Sequence, residues 1–183
     1  GGCIITARLS GVGYHEFGHG YHQSLTNRVN GAVGEGTGDY IAATITNSGV
    51  VGEGFSTNGQ GIRRIDIDAN YPQDLNGQVH NDGKVWGSTW WDLRTALIEK
   101  LGPIEGARAA DRAFVAAVQQ GPSLTSAYPS ALAGDDDDGS LLNGTPNSCE
   151  INQVFQQHGL IDGGRNNHEV APDGPWAKIQ HVP

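Results

Sequence analysis

The sequence predicts a mainly α fold with little β structure and long glycine-rich loops, and three observations carry that prediction. The stretch Lys84–Leu101 places Val85, Trp86, Trp90, Leu93, Leu97 and Leu101 at i, i+4 and i+7 spacings, the period of a helix with one buried face. Further helical patterns recur along the chain, each bounded by Gly, Pro or Asn stop signals. Only one run, Ile62-Arg63-Arg64-Ile65-Asp66-Ile67, reads as a strand.

In order, residues 1–10 are extended at most, and Ser10 is placed to cap a first helix over about 11–27, closed by Asn30-Gly31. A second helix is predicted over Glu35–Thr46, ending near Asn47-Ser48-Gly49. Val50–Asp82 is rich in Gly, Asn and Asp and reads as a long loop around the one strand. Segments of this length without regular structure are usually functional. After the Lys84–Leu101 helix, Gly102-Pro103 is a stop, and Ile104–Gln120 forms an Ala-rich helix ended by Gly121-Pro122. A shorter helix is expected over Pro129–Ala133 and a last one over Ser148–His158, followed by an irregular tail over about 161–183. The 183 residues suffice for one domain with a real core, and no internal repeat is visible.

Eleven Lys and Arg stand against 20 Asp and Glu, and the resulting charge of −9 argues against a nucleic-acid or anionic-membrane partner. No stretch approaches the ~20 apolar residues of a spanning helix. No signal peptide precedes Gly1-Gly2-Cys3, so a mature or excised chain is expected. Abundant Gly, absent Met and 17% charged residues suit a secreted, loop-rich protein, and a monomer is expected. Cys3 and Cys149 are the only cysteines, and either one bridge joins them or both are buried thiols, the bridge being preferred.

Chemistry concentrates in His15-Glu16-Phe17-Gly18-His19. On a helix, residues four apart lie about 40° apart around the axis, so the two imidazoles share a face. Two imidazoles supply two of the three protein ligands of a catalytic zinc, leaving a position for water. Glu16 falls about 60° from His19, close enough to take a proton from that water. Glu35, on the next predicted helix, supplies a third ligand, and Asp39 one turn later can accept the free N–H of a ligating imidazole. His22 shares the face of His15 but lies ~10 Å along the axis, and reads as structural.

The pair H-E-x-x-H and Gly34-Glu35-Gly36-Thr37-Gly38-Asp39-Tyr40 resembles the gluzincin zinc peptidases, of which thermolysin is one, and most closely their fungalysin-like branch. The stretch Val79–Arg94 and the run Asp136–Cys149, with Val154–Leu160, extend that resemblance over most of Tyr14–Leu160. It implies the helical lobe of a zincin-type endopeptidase acting on peptides or proteins, with Glu16 as general base. It further implies His80 as a hydrogen-bond donor to the oxyanion, with Asp74 as a candidate partner, although Asp74 is six residues earlier where relatives place a carboxylate at five. The chain departs from the family pattern in having only 14 residues before His15, where relatives carry a β-rich lobe. A zinc-binding but idle domain, or an inactive piece of a larger protease, is therefore the alternative.

Arg63 or Arg64 could touch a substrate carbonyl, as an arginine does in thermolysin-like enzymes, but a solvated strand face is the preferred reading. Asp135-Asp136-Asp137-Asp138-Gly139 fails the EF-hand pattern, because Gly134 and Thr145 would stand at its first and twelfth positions. It reads equally as a different calcium loop or as a solvated acidic turn.

Overall fold

In the computed structural model, residues 8–28, 31–120 and 123–161 are described. The chain divides into two compact units, Gly1–Asp92 and Leu93–Pro183. The expected mainly α architecture is what forms, with two two-residue strands among the described residues.

In the first unit, α1 (Ser10–Thr26) begins after Leu9, whose extended backbone lets its carbonyl accept from the N–H groups of Val12 and Gly13. Ser10 is thus the first helical residue, and no side chain caps this end. Asn27, not Asn30, closes α1 by turning left-handed (φ 51°), a conformation Asn tolerates better than most residues. The second helix, α2 (Gly31–Thr46), starts four residues earlier than its glycine content suggested. Packing overrides propensity here. A Cβ on Gly18 of α1 would lie 2.6 Å from the Gly38 Cα, and one on Gly36 would lie 2.4 Å from the Gly83 carbonyl oxygen. The glycines let three backbones meet where side chains would hold them apart.

Strand β1 (Val50–Val51) pairs antiparallel with β2 (Arg63–Arg64), with Val50 opposite Arg64 and Val51 opposite Arg63. The strand expected over Ile62–Ile67 shrinks to these two residues, and Ile65 continues it only by donating its N–H to the Gly49 carbonyl at 2.9 Å. The third helix, α3 (Val79–Leu101), contributes Val79–Asp92 to this unit and begins five residues before the periodicity does. Its start is fixed by Asp82, whose carboxylate accepts from the backbone N–H groups of Asn76 and Gly77. The core gathers Val33, Tyr40, Val51, Ile65, Trp86 and Trp90, all buried. The two indoles meet edge to face at 5.5 Å.

The second unit holds the end of α3 and α4 (Pro103–Gln119), entered through Gly102 at φ 85° with proline in the first turn. Gly106 lets α4 cross α3 closely, since a Cβ there would lie 2.2 Å from the Leu97 carbonyl oxygen. A 3-10 turn with a reciprocal Ser123–Ser126 cap leads into α5 (Ala127–Asp135), longer at both ends than the expected Pro129–Ala133. A second 3-10 turn (Leu141–Asn143) precedes α6 (Ser148–Gln157). No helix among the described residues is long and apolar enough to cross a membrane. The tail from 162 onward lies outside the described residues, as does Cys3, while Cys149 is exposed in the first turn of α6.

Candidate metal centre

The candidate site is built where α1 crosses α2. The closeness of the two backbones at Gly18 and Gly38 lays the His15 ring against α2, where a Cβ on Gly38 would sit 2.8 Å from ring atoms Cε1 and Nδ1. His15 is buried and its ring meets that of His19 edge to face at 4.6 Å. Glu35, on the facing turn of α2, points between them, with Oε2 3.3 Å from His15 Nε2 and Oε1 3.6 Å from His19 Nε2. One ligand atom from each of the three lies within 4.8 Å of the others. Glu16, between the histidines in sequence, is exposed.

Asp39, fully buried one turn beyond Glu35, sits with Oδ1 2.7 Å from His15 Nδ1. Burial by itself would push its carboxyl up. Hydrogen bonds from His15 and Arg63, with the charge of Arg63, outweigh that and hold it below the usual carboxylate range. An ionised Asp39 is an acceptor only, so His15 carries a proton on Nδ1, and in the neutral ring the Nε2 that faces Glu35 is bare.

In that neutral tautomer the His15 nitrogen and the Glu35 oxygen 3.3 Å from it are two acceptors with no proton between them. Glu35 Oε2 is buried and has no hydrogen bond, although His80 Nε2 and Arg63 Nη2 also lie within 3.2 and 3.7 Å. Two imidazoles and a carboxylate are donors that suit zinc, and a cation among them would satisfy this orphaned oxygen. The residues present fit the metal.

Arg63 is the residue whose place the sequence hid. It is not on a solvated strand face. Only 15% of its side chain is exposed, and its guanidinium grips Asp39 with two bonds, Nε to Oδ2 at 2.9 Å and Nη2 to Oδ1 at 2.7 Å. Burial lowers its pKa, but Asp39, Glu35 and Glu16 together raise it above the ordinary value. Nη2 also lies 3.4 Å from His15 Nδ1, and since both groups donate, Asp39 Oδ1 serves both. Arg64 is the exposed one of the pair and binds Asp66 two residues away. The run Ile62-Arg63-Arg64-Ile65 does not alternate and does not say which arginine turns inward.

His80 enters from the first turn of α3, its Nε2 3.2 Å from Glu35 Oε2. Asp74 is not brought to it. The Asp74 carboxylate closes its own turn by accepting the Asn70 N–H at 2.6 Å, and His80 Nδ1 instead faces Gln78 Nε2 at 2.8 Å. His22 is buried one turn beyond His19 and stays outside the cluster.

Elsewhere, Asp135 is buried and spends both oxygens on Asn147, accepting from its backbone N–H and its Nδ2 at 2.6 Å each. It therefore stands apart from Asp136, Asp137 and Asp138, whose carboxylates approach within 4.8 Å of one another. Asp138 accepts from Ser140 N–H and from Asn143 Nδ2, so this turn is held by its own hydrogen bonds.

A helix-borne histidine pair with an intervening glutamate, and a third carboxylate from the next helix, defines the zincin class of site. Comparison with known sequences narrows the class: the model of the fungalysin metallopeptidases (M36) matches residues 5–163. The chain belongs to the fungalysin metallopeptidase family. It is 26% identical over 197 residues to the extracellular metalloproteinase mep of Aspergillus niger, covering 86% of this chain and 31% of that protein. It is 28% identical over 210 residues to the probable extracellular metalloproteinase 3 of Trichophyton verrucosum, covering 90% of this chain and 31% of that protein. The chain thus spans about 31% of the length of these relatives. No solved structure matches.

Proposed function

We propose that this chain carries the catalytic centre of a secreted zinc endopeptidase, in which His15, His19 and Glu35 hold the metal. The observation that carries the reading is the buried, unsatisfied Glu35 Oε2 facing His15 Nε2 at 3.3 Å, with the His15 Nδ1 side occupied by Asp39 and Arg63. When bound, zinc supplies a Lewis acid that polarises a carbonyl and brings the pKa of a water to about 7.

Glu16, exposed beside the cluster, accepts the proton of the attacking water and passes it to the leaving amine. His80 donates from Nε2 to the oxygen on which charge develops as the peptide carbonyl becomes tetrahedral. Arg63 and Asp39 keep the His15 ring from turning while this occurs. Secretion is supported by the relatives, which are named extracellular metalloproteinases.

A second reading, a zinc-binding domain without turnover, is favoured by Phe17, which leaves 61% of its surface uncovered beside Glu16. The test is cleavage of a mixed unstructured peptide library by the zinc-loaded chain and by its Glu16→Gln variant. The variant is expected to lose roughly 10²–10⁴ in rate, the usual contribution of a general acid–base, with its zinc content unchanged. Equal cutting by both would remove Glu16 from the mechanism. If neither cuts and both retain one zinc, the idle-domain reading replaces this one.

A further inference from the structure

The partner of His80 is an amide, and an amide imposes a different proton arrangement from the carboxylate expected there. Gln78 precedes α3 and is tied at three points. Its backbone N–H donates to Asn76 Oδ1 at 2.9 Å, its side-chain Oε1 lies 2.7 Å from the Asn81 N–H, and its Nε2 lies 2.8 Å from His80 Nδ1. The Asn81 N–H is shared with the Gln78 backbone carbonyl at 2.9 Å. A backbone N–H can only donate, so the amide atom 2.7 Å from it is the oxygen; an NH₂ there would set donor against donor. The amide orientation is thereby fixed, and what reaches His80 Nδ1 is an N–H.

We propose that Gln78 is a positioning residue for His80: its amide demands a lone pair on Nδ1 and so keeps the neutral ring's proton on Nε2. A carboxylate in the same place would accept an Nδ1–H and leave the neutral ring's Nε2 bare, unable to donate. Gln78 therefore makes the neutral His80 ring a donor at Nε2. What that donor acts on rests on the peptidase reading; the location of the proton does not.

The test is the position of the His80 proton in the ¹⁵N-labelled, zinc-loaded full chain. Two-bond ¹H–¹⁵N correlation spectra are recorded at pH about 8, above the ordinary imidazole pKa of about 6.5. The wild type is expected to show a bare Nδ1 and a protonated Nε2, with a bias of roughly two- to twelvefold, which is what one ordinary net hydrogen bond supplies. Gln78→Glu, nearly isosteric, should move the proton to Nδ1, and Gln78→Ala should give a mixture of tautomers. Both side chains are exposed enough that backbone spectra and zinc content should stay as in the wild type. In peptide cleavage, Gln78→Glu should lower kcat with KM little changed. A wild-type proton on Nδ1, or a Gln78→Glu spectrum identical to the wild type in a folded protein, overturns the proposal. If the tautomers shift as expected while no form cleaves peptide, Gln78 keeps its role and the peptidase reading fails instead.

Discussion

Replacing Arg63 with alanine removes both bonds that the guanidinium makes to a carboxylate with no solvent exposure. Breaking a buried pair from one side typically costs about 3–5 kcal/mol, because the remaining charge is left uncompensated. Asp39 would keep its contact with His15 Nδ1, and the 15% exposure of Arg63 admits some water into the gap. The expected loss is therefore at the lower end, about 3 kcal/mol, or roughly 6–12 °C in Tm for a chain of this size. The assay is unfolding of the metal-free protein followed by tryptophan fluorescence, since Trp86, Trp90 and Trp91 belong to the same unit as the pair. In the double variant Arg63→Ala/Asp39→Asn no charge is stranded, so the two losses should fall short of additivity by about 1–3 kcal/mol. The pH dependence has a definite sign. Asp39 is held below its ordinary value, so its stabilisation is complete above pH ~3.9 and is lost as pH falls through the lower folded value. The deficit of Arg63→Ala should accordingly shrink below that pH. A loss under about 1 kcal/mol at neutral pH, with additive single variants, would place this pair among surface ion pairs and refute the reasoning.

The close approach at Gly38 makes a second prediction: Gly38→Ala sets a methyl 2.8 Å from His15 Nδ1 and 2.9 Å from the His15 carbonyl oxygen. It should cost about 1–3 kcal/mol by overpacking. It should also weaken zinc binding by roughly 10–100-fold, read by competition with a chelator; unchanged affinity would show that the ring does not need that gap. His22 is held below its ordinary pKa, by burial first and then by the charge of His19. The unfolded chain therefore binds its proton before the folded one does. Stability is complete above pH ~6.5 and falls as pH drops toward the lower folded value, so His22→Gln should flatten the urea-unfolding midpoint of metal-free protein between about pH 7 and 5. A pH dependence identical to the wild type would show that His22 ionises freely in the fold.

The sequence exposes some parts of this site and conceals others for one physical reason, the range over which the determining contact acts. His15, Glu16 and His19 are related by the geometry of a single helix turn, as are Glu35 and Asp39, so their spacing alone carries the chemistry. Arg63 reaches Asp39 across 24 residues through a strand pair only two residues long, too short to leave an alternating pattern. The start of α2 was hidden differently. Gly31, Gly34, Gly36 and Gly38 count against a helix by propensity, by about 1 kcal/mol each relative to Ala.

Three of those glycines count for the helix once its neighbours are in place, because the Val79 side chain meets α2 at Gly31, Gly83 and Trp86 meet it at Gly36, and Gly18 and His15 meet it at Gly38. What disfavours α2 alone is what permits it in the fold. The same holds at the start of α3. Gln78 and Asp74 are equally polar in the sequence, and a carboxylate is the more natural partner for an imidazole. The choice is made by the turns around them: Asp74 is consumed in holding the Asn70 N–H, while the Asn81 N–H orients the Gln78 amide toward His80. A residue's role at this site thus depends on whether the backbone nearby has already used its side chain, which residue types and spacings do not record.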